Sequence, residues 1–342
     1  MAQLTLKDLA RKLGISASTV SRALHDHPDI SKKTKKLAID AAEKYGYQPN
    51  PIAQSLKKKR SNIIGVIVPE IRHNFFATVI SGIEEVTYEA GYIIMVCQSN
   101  ESLNREIANT KALTANRVAG LLMAISLETT TCDHMKNVIK QGIPLVQFDR
   151  VVDELETGKV CIDDFRAAYE ATSHLIDCGY KRIGFLAGRE GISLNLLRFN
   201  GYFEALKNHG ATYYPELNIN IGGCRGKNGR YGADEYLKMD NPPDAVLAIN
   251  DPVAVGAFCR CREAGLRIPE DIAFAGFSGS PESALIEPAL TTISQPAFEM
   301  GKTAASLLLK QLDSKDEEYT PETIILETEL LIRGSSRKGE PK

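Results

Sequence analysis

A short run of polar side chains near the amino terminus has the types and spacing to hydrogen-bond an acceptor-rich surface. Ser18, Ser21 and Arg22 recur at helical spacing, so the three side chains share one face of a short helix. A guanidinium fork matches the O6 and N7 acceptors that guanine presents in the major groove of DNA. Serine hydroxyls can bond either bases or phosphates. This face therefore predicts DNA reading, with Arg22 as the best-equipped reader of guanine.

Two short helices joined by a tight turn position this face. Thr5 suits the N-cap of the first helix, Gly14 suits its left-handed C-terminal cap, and Ser16 caps the second helix. Ser31 begins a third helix that ends near Gly46. The residues of the third helix expected to face inward are Leu37, Ala38, Ala41 and Ala42. The DNA contacts expected from the turn and the second helix are Ser16, Ala17, Ser18, Thr19, Ser21 and Arg22.

A further short helix is predicted after the third. Asn50 suits its N-cap and Pro51 its first turn, and the segment they open is only about two turns long. A helix of that length is too short to be stable alone in water, so it needs a partner.

These two segments carry a resemblance to a known family. The motifs T-x-x-D-L-A-x-x-x-G-I-S-x-S-T-V-S-R-x-L from Thr5 and N-P-x-A-x-x-L from Asn50 resemble those of the bacterial lactose/galactose repressor family. The resemblance implies a hinge helix that pairs with its dimer mate in the DNA minor groove, where Leu56 would open a base step and kink the duplex. The DNA contacts that it implies in the hinge are Asn50, Ala53, Leu56 and Lys57.

Charge is divided unevenly along the chain. Residues 1–60 contain 13 Lys and Arg against 5 Asp and Glu, whereas the rest contains 28 against 38. The formal net charge of −2 hides this division. A basic head on an acidic body is the arrangement expected when a phosphate-binding module is joined to a larger domain.

Several classes of site find no support in the sequence. The seven Cys are scattered and odd in number, which favours reduced thiols over disulfides. The six His have no metal-ligand spacing, and there is no Gly-rich phosphate loop or G-x-S-x-G elbow. We expect no catalytic site, metal or cofactor. The amino terminus lacks an apolar signal-peptide core and no apolar run reaches membrane-spanning length, so we expect a cytoplasmic protein without a membrane partner.

After residue 61 the pattern changes to short β-branched runs alternating with amphipathic helices, which predicts α/β architecture with parallel sheets. The first series of predicted strands is 63–68, 92–97, 119–125 and 144–148. The second series is 182–186, 218–222, 245–249 and 272–277. The repetition predicts two doubly wound lobes, and the resemblance implies that they are of the periplasmic sugar-binding type.

The predicted domains are a helix-turn-helix domain at 1–49, a hinge helix and linker at 50–60, and a two-lobed effector-binding and dimerisation domain at 61–342. The resemblance implies that the carboxyl-terminal segment crosses back between the lobes. The predicted lobes are 61–163 plus 295–323, and 164–294 plus 324–335. Ligands of such sheets bind outside the carboxyl ends of the strands, which predicts one site in the cleft between the lobes.

Polar and aromatic side chains that follow predicted strands could line this cleft. Asp149 and Arg150 end one strand, Asn250 and Asp251 end another, and such groups can hold neighbouring ligand hydroxyls. Phe75 offers a flat apolar surface. With the resemblance added, the predicted effector contacts are Phe75, Phe76, Ser126, Asp149, Arg150, Phe165, Arg198, Asn250, Asp251, Ser278 and Gln295.

Two positions depart from the pattern of the family. Ser278 stands where the family commonly has Asp, which removes a charged acceptor of ligand hydroxyls. Asp164 stands where an Asn is often seen, which adds a carboxylate near the cleft.

The sequence predicts a homodimeric regulator, a repressor by resemblance, that binds a pseudo-palindromic operator in double-stranded DNA and responds to a carbohydrate or carbohydrate derivative. Within the same family a purine or a phosphocarrier protein is the alternative signal. From other classes, a secreted sugar-binding protein is disfavoured by the basic head. A sugar-phosphate enzyme is disfavoured because the cleft offers no convincing general base with a phosphate loop.

Overall fold

The computed structural model describes residues 4–47, 61–72, 74–189, 193–314 and 319–337. The chain divides into two compact units, Met1–Ser61 and Asn62–Lys342, which are called here the head and the body. None of the helices in the described ranges is long and apolar enough to cross a membrane.

The head is built from three capped helices, α1 (Leu6–Leu13), α2 (Ala17–Leu24) and α3 (Lys32–Tyr45). The caps follow the sequence signals, since the side chains of Thr5, Ser16 and Ser31 each accept a hydrogen bond from a backbone N–H in the first turn. Gly14 and Gly46 end α1 and α3 in the left-handed conformation. The predicted helix-turn-helix is therefore confirmed.

The core of the head is small. Leu9, Val20 and Ala38 are completely buried, and Ala41 is nearly so. The prediction that Leu37 faces inward was wrong, because its side chain is 48% exposed. The face of α3 that meets the other two helices is set by its small alanines, and the neighbouring Leu37 is rotated by about 100° away from that face.

In the described part of the body, two sheets of six strands each form the centres of two lobes. The strands of the first sheet are β1 (Ile63–Val68), β2 (Ile93–Gln98), β3 (Gly120–Met123), β4 (Leu145–Phe148), β5 (Gly158–Ile162) and β11 (Thr323–Leu326). They lie in the order β11-β5-β4-β3-β1-β2, and every neighbouring pair is parallel. The buried runs of β1 and β3 fit a sheet that is covered by helices on both faces.

The second sheet repeats this arrangement. Its strands are β6 (Ile183–Ala187), β7 (Asn218–Asn220), β8 (Ala245–Ala248), β9 (Ala273–Ser278), β10 (Thr291–Ser294) and β12 (Glu329–Leu331). The order is β12-β10-β9-β8-β6-β7, and only the pair of β10 with β12 is antiparallel among the pairings of the described strands. The predicted α/β body with two doubly wound lobes is therefore confirmed.

Helices connect the strands of both lobes. They are α4 (Asn74–Glu89), α5 (Leu103–Ala115), α6 (Asp133–Lys140), α7 (Asp164–Asp177), α8 (Ser193–Asn208), α9 (Gly226–Leu237), α10 (Asp251–Glu263) and α11 (Ala297–Asp313). α7 and α8 pack closely because Gly201 has no side chain at the point where α8 meets the backbone of Phe165.

The chain crosses between the lobes after β5, after β10 and after β11. The last crossing was predicted between 323 and 324, which is wrong because β11 pairs with β5 in the first sheet. The crossing therefore lies between Leu326 and Glu329. β5 was missed as a strand, since the half-buried Lys159 and Cys161 interrupt its apolar run.

Candidate functional site

The predicted DNA-reading face lies on α2. Ser18 and Arg22 are exposed there, and Ser21 is half-buried on the same face. The hydroxyl of Ser16 accepts a hydrogen bond from the backbone N–H of Thr19 at 3.1 Å, so it caps the helix. α2 thus presents a small polar surface and one long cationic side chain, as a recognition helix does.

The remaining predicted DNA contacts divide into two sets. Ala17 and Thr19 are half-buried in the first turn of α2, and the hydroxyl of Thr19 lies 2.8 Å from that of Ser16. The hinge residues lie outside the described residues: Asn50, Ala53, Leu56 and Lys57.

The body contains a cavity of about 440 Å³ between its lobes, called here the main cavity. Its walls come from the ends of strands in both sheets and from the first turns of α4, α8, α9 and α10. Such a position is the usual ligand site of open α/β sheets. Eight predicted effector contacts line it: Phe75, Phe76, Asp149, Arg150, Arg198, Asn250, Ser278 and Gln295.

Arg198 lies in the wall of the main cavity with only 4% of its surface exposed. Its Nε donates to Asp164 Oδ1 at 2.7 Å, and its Nη1 donates to the carbonyl of Ile249 at 2.5 Å. The guanidinium carbon also lies 4.1 Å from the ring centroid of Phe277. The prediction that Arg198 lines the cleft agrees with this position, but two of its five N–H donors are bonded to the protein itself.

Asp149 is the buried carboxylate of the first lobe in the main cavity. Burial raises its pKa to about 6, although the nearby guanidinium groups of Arg150 and Arg198 favour the ionised form. The nearest atom of Arg150 is Nε, 3.8 Å from Asp149 Oδ2, which is too far for a hydrogen bond. Arg150 instead binds both carboxylate oxygens of Glu101, at 2.9 and 3.0 Å. Asp149 is therefore held beside positive charge while its oxygens remain available to a ligand.

Asn250 and Asp251 have different surroundings although they are neighbours. Asn250 lines the main cavity and caps α10, with Oδ1 accepting from the N–H of Val253 at 3.0 Å. Asp251 is completely buried behind the wall, where it accepts hydrogen bonds from the hydroxyl of Thr292 and the N–H of Ser280. Burial raises the pKa of Asp251 to about 6, and these hydrogen bonds oppose the rise. Asp251 therefore fixes the loop after β9 rather than lining the main cavity.

Two other predicted contacts also lie away from the main cavity. Ser126 is buried in the first lobe, where its N–H donates to Glu106 Oε2 at 2.6 Å. Phe165 is 37% exposed on α7 and stacks on Tyr169 with centroids 6.4 Å apart. Phe165 is the second residue of α7, and its side chain lies on the partly exposed side of that helix beside Tyr169.

Sequence reasoning missed several residues of the cavity wall. The most informative is Asn195, which is 7% exposed and whose Oδ1 has no hydrogen-bond partner among the described residues. Its Nδ2 donates to the carbonyl of Arg189, and Gly188 makes room for this amide. Gln295, at 8% exposure, likewise has an unpartnered Nε2. Buried amides seldom remain unpaired, so these atoms mark places where a ligand can bond.

The other missed wall residues are Arg72, Asn74, Leu127, Leu194, Cys224, Gly226, Arg230, Ile249, Pro252, Val255, Gly256, Cys259, Ser280 and Glu282. Few of them carry a sequence signal, because the apolar and small residues among them look like ordinary packing. In the ranges that the structure describes, no group of His, Cys, Asp and Glu is arranged to hold a metal ion.

Comparison with known proteins gives a consistent result. Residues 5–50 match the family described as bacterial regulatory proteins, lacI family, and residues 172–336 match a periplasmic binding protein-like domain. The chain is 32% identical over 335 residues to the HTH-type transcriptional repressor CytR of Escherichia coli strain K12, which covers 97% of this chain and 96% of that protein.

Two solved structures are also similar. The complex of the transcriptional regulator CelR with cellobiose is 27% identical, with a TM-score of 0.74, and the match covers 97% of this chain and 99% of that chain. The Lac repressor dimer bound to operator and the anti-inducer ONPF has the same fold, with a TM-score of 0.86 at 24% identity over 98% of this chain and 100% of that chain.

The capped recognition helix, the two-lobed body and the likeness to CytR along nearly the whole chain agree with one another. The family is one of transcriptional regulators rather than of enzymes. The chain belongs to the lacI family of bacterial regulatory proteins and is a DNA-binding, effector-controlled transcriptional regulator.

Proposed function

We propose that the chain acts as a homodimer on a pseudo-palindromic operator, and that its DNA affinity is set by a carbohydrate or carbohydrate derivative in the main cavity. The DNA contacts proposed for α2 are Ser18, Ser21 and Arg22, with Ser16, Ala17 and Thr19 supporting them at the start of the helix. The hinge contacts rest on the resemblance of the motif from Asn50.

The observation that carries the choice of ligand is a set of polar atoms in the wall of the main cavity that have no hydrogen-bond partner among the described residues. The carboxylate of Asp149 and the Oδ1 of Asn195 can each accept a hydrogen bond from a ligand, and the Nε2 of Gln295 can donate one. A polyol both donates and accepts at each hydroxyl, so it can pair with all three groups. Phe75 supplies an apolar surface beside them. The likeness to CelR, solved with cellobiose, supports the same class of ligand.

A thermal-shift screen of the full chain tests this proposal. The panel contains ribose, cellobiose, glucose 6-phosphate, adenosine and hypoxanthine, each with the natural chain and with Asp149→Asn. We expect a neutral sugar to raise the melting temperature of the natural chain and to have less effect on the variant, because binding to the folded state stabilises it by mass action. Stabilisation by adenosine or hypoxanthine alone would instead identify a purine effector.

The homodimer is supported by an apolar edge of the first lobe. β2 is the edge strand of its sheet, and Ile93 and Met95 are 64% and 37% exposed on it. Tyr88, near the end of α4, is 74% exposed. Exposed apolar residues on an edge strand favour association, and a second copy can cover them. Light scattering of the natural chain at micromolar concentration should give a dimer, and Ile93→Glu should give a monomer. A monomeric or tetrameric natural chain would contradict the proposal.

The proposed control of DNA binding follows from linkage. An effector that bridges the two lobes changes their spacing, and the predicted hinge at 50–60 is marginal without a partner helix. The factor by which effector changes operator affinity must equal the factor by which operator changes effector affinity. Titrating each ligand in the presence of the other measures both factors, and unequal factors would mean that a third equilibrium is involved.

A further inference from the structure

The strand orders place all three chain crossings on one side of the body. The chain leaves the first sheet after β5 and β11, which are the two strands at one end of that sheet. It leaves the second sheet after β10, which is next to the end strand β12. Segments that join two lobes at one edge act as an interlobe hinge, because the lobes can rotate about them. This interlobe hinge is distinct from the predicted hinge helix at 50–60. Contacts at the opposite edge then decide how often the lobes separate.

Among the described residues, two ion pairs join the lobes at that opposite edge. Glu70 follows β1, and its carboxylate accepts from Arg225, which follows β7 in the other lobe. Glu128 follows β3, and its carboxylate lies 3.7 Å from Arg189, which follows β6. β1 and β2 end the first sheet on this side, and β6 and β7 end the second.

Glu70 is the more strongly held of the two carboxylates. It is only 1% exposed, and its own lobe supplies Arg72, whose Nη2 lies 3.2 Å from Oε1. A buried carboxylate is unfavourable unless it is paired and hydrogen-bonded, and Arg225 completes this pairing from across the cleft. Separation of the lobes therefore removes a charge-assisted hydrogen bond from the Glu70 carboxylate, which is already buried within its own lobe.

An apolar contact lies beside these ion pairs. Leu127 of the first lobe and Leu194 of the second are 9% and 7% exposed and form a small cluster apart from the main cores, with Cys224 packed against it. Leu127 and Cys224 line the main cavity and also a second cavity of about 260 Å³. That second cavity is lined by Glu70, Glu128, Arg189 and Arg225 as well. The apolar cluster thus separates the main cavity from the ion-paired edge.

We propose an interlobe clasp on the side of the body opposite the interlobe hinge. It consists of Leu127, Leu194, Glu70 and Arg225, with the weaker ion pair of Glu128 and Arg189. The clasp closes the main cavity on the side where the lobes can part, and it must open for a ligand to enter or leave. It sets the equilibrium between closed and open lobes in the ligand-free chain, whichever molecule occupies the main cavity. The proposal therefore does not depend on the carbohydrate assignment.

Hydrogen exchange measured by mass spectrometry on the full, ligand-free chain tests the clasp. The variants are Glu70→Gln, Arg225→Gln and the two combined. Each single change should speed exchange of the backbone amides in 124–130 and 220–228 by about tenfold, the effect of losing one charge-assisted hydrogen bond across the cleft. The double variant should exchange no faster than the faster single variant, because both changes break the same contact.

Arg267→Gln is the matched control, since it breaks the exposed ion pair of Arg267 with Asp271 inside one lobe. It should leave the exchange of the clasp peptides unchanged. Leu127→Ala tests the apolar part and should speed exchange of the same peptides more than exchange in the cores of the two lobes. Additive effects of Glu70→Gln and Arg225→Gln, or exchange unchanged in every clasp variant, would overturn the proposal.

Discussion

The recognition helix of the head and the wall of the main cavity each present an arginine, but the two arginines have different surroundings. Arg22 is exposed on α2, whereas Arg198 is 4% exposed and bonded to Asp164 and to the carbonyl of Ile249. An exposed side chain can be removed at little cost to folding, whereas a buried paired charge cannot. Ligand binding should therefore be separable from stability in the head and coupled to it in the cleft.

Arg198→Ala is the variant with the largest expected effect. It leaves the carboxylate of Asp164 at 4% exposure without its guanidinium partner, and burial already raises the pKa of Asp164 against the favourable influence of Arg198. We expect the free energy of unfolding of the body to fall by about 3–5 kcal/mol. Denaturant unfolding at pH 7.5 measures the loss.

The control for this variant removes both charges. Arg198→Ala combined with Asp164→Ala should be less unstable than Arg198→Ala alone, because no unpaired carboxylate remains. The sequence predicted Arg198 only as an effector contact, and a residue with that role alone would give, on replacement by Ala, a folded regulator that no longer responds to ligand. If Arg198→Ala is as stable as the natural chain and has lost only its response to ligand, Arg198 acts as an effector contact alone. That outcome would contradict the coupling of ligand binding to stability in the cleft.

The same difference explains which features the sequence could predict. The helix caps in the head form hydrogen bonds within one helical turn. The caps at Thr5, Gly14 and Ser16 can therefore be predicted from a few neighbouring residues. The prediction that Leu37 faces inward was wrong because packing against the other helices decides which of two neighbouring faces of α3 is buried.

In the body, alternation of strands and helices predicted the architecture, and strand ends predicted Asp149 and Asn250 as lining residues. Asp251 shows the limit of that reasoning, because its carboxylate is bonded to Thr292, 41 positions away along the chain. Asn195 was missed because no local sequence pattern marks it. Its Nδ2 donates to the carbonyl of Arg189, six positions earlier, and its Oδ1 has no hydrogen-bond partner among the described residues.

Asp149→Asn should sharpen the comparison from the side of the cleft. The folded-state pKa of Asp149 is raised to about 6 from an ordinary value of 3.8, so the folded chain holds this proton more tightly than the unfolded chain. The contribution of Asp149 to the free energy of unfolding is therefore most favourable at low pH. It falls as pH rises from about 4 to 6 and is constant above that. We expect the variant to be more stable than the natural chain at pH 7.5 by about 3 kcal/mol and to bind effector less well.

Denaturant unfolding of both proteins between pH 4 and 8 measures the difference. Asp251 also has a pKa raised to about 6 and is unchanged in the variant, so subtracting the two curves isolates Asp149. If the difference in free energy of unfolding between the two proteins does not vary between pH 4 and 6, Asp149 is solvated, and its ligand contacts are not coupled to stability.

Arg22→Ala tests the head. We expect the ratio of affinity for a selected operator to affinity for random DNA to fall about ten- to a hundredfold, because the fork that reads guanine is lost. The melting temperature should not change. The operator is obtained by selection from a random DNA pool, and both affinities are measured at the same salt concentration.

Arg22→Lys is the matched control, since it keeps the positive charge and loses the fork. It should bind random DNA as well as the natural chain does and should still lose preference for the operator. Equal losses on both DNAs in the Ala variant would assign Arg22 to a phosphate contact.

The smallest expected effect belongs to the cap of α1. The hydroxyl of Thr5 accepts from the N–H of Asp8 at 3.3 Å, and the N–H of Thr5 donates to the carboxylate of Asp8 at 3.2 Å. Thr5→Ala removes the first of these bonds and should lower the melting temperature of the head by about 5 °C. Thr5→Ser keeps the hydroxyl and should unfold close to the natural temperature.

Hydrogen exchange of 5–13 and of the clasp peptides in the same sample shows whether this effect stays local. The hydrogen bonds from Thr5 lower the pKa of Asp8, so the contribution of the cap is present above the ordinary pKa of that carboxyl and is lost as pH falls. Because the cap acts within one turn, exchange should rise in 5–13 and not at 124–130. A matching rise in the clasp peptides would mean that the stability of the head and that of the body are coupled, and the contrast between the two arginines could no longer be attributed to their surroundings.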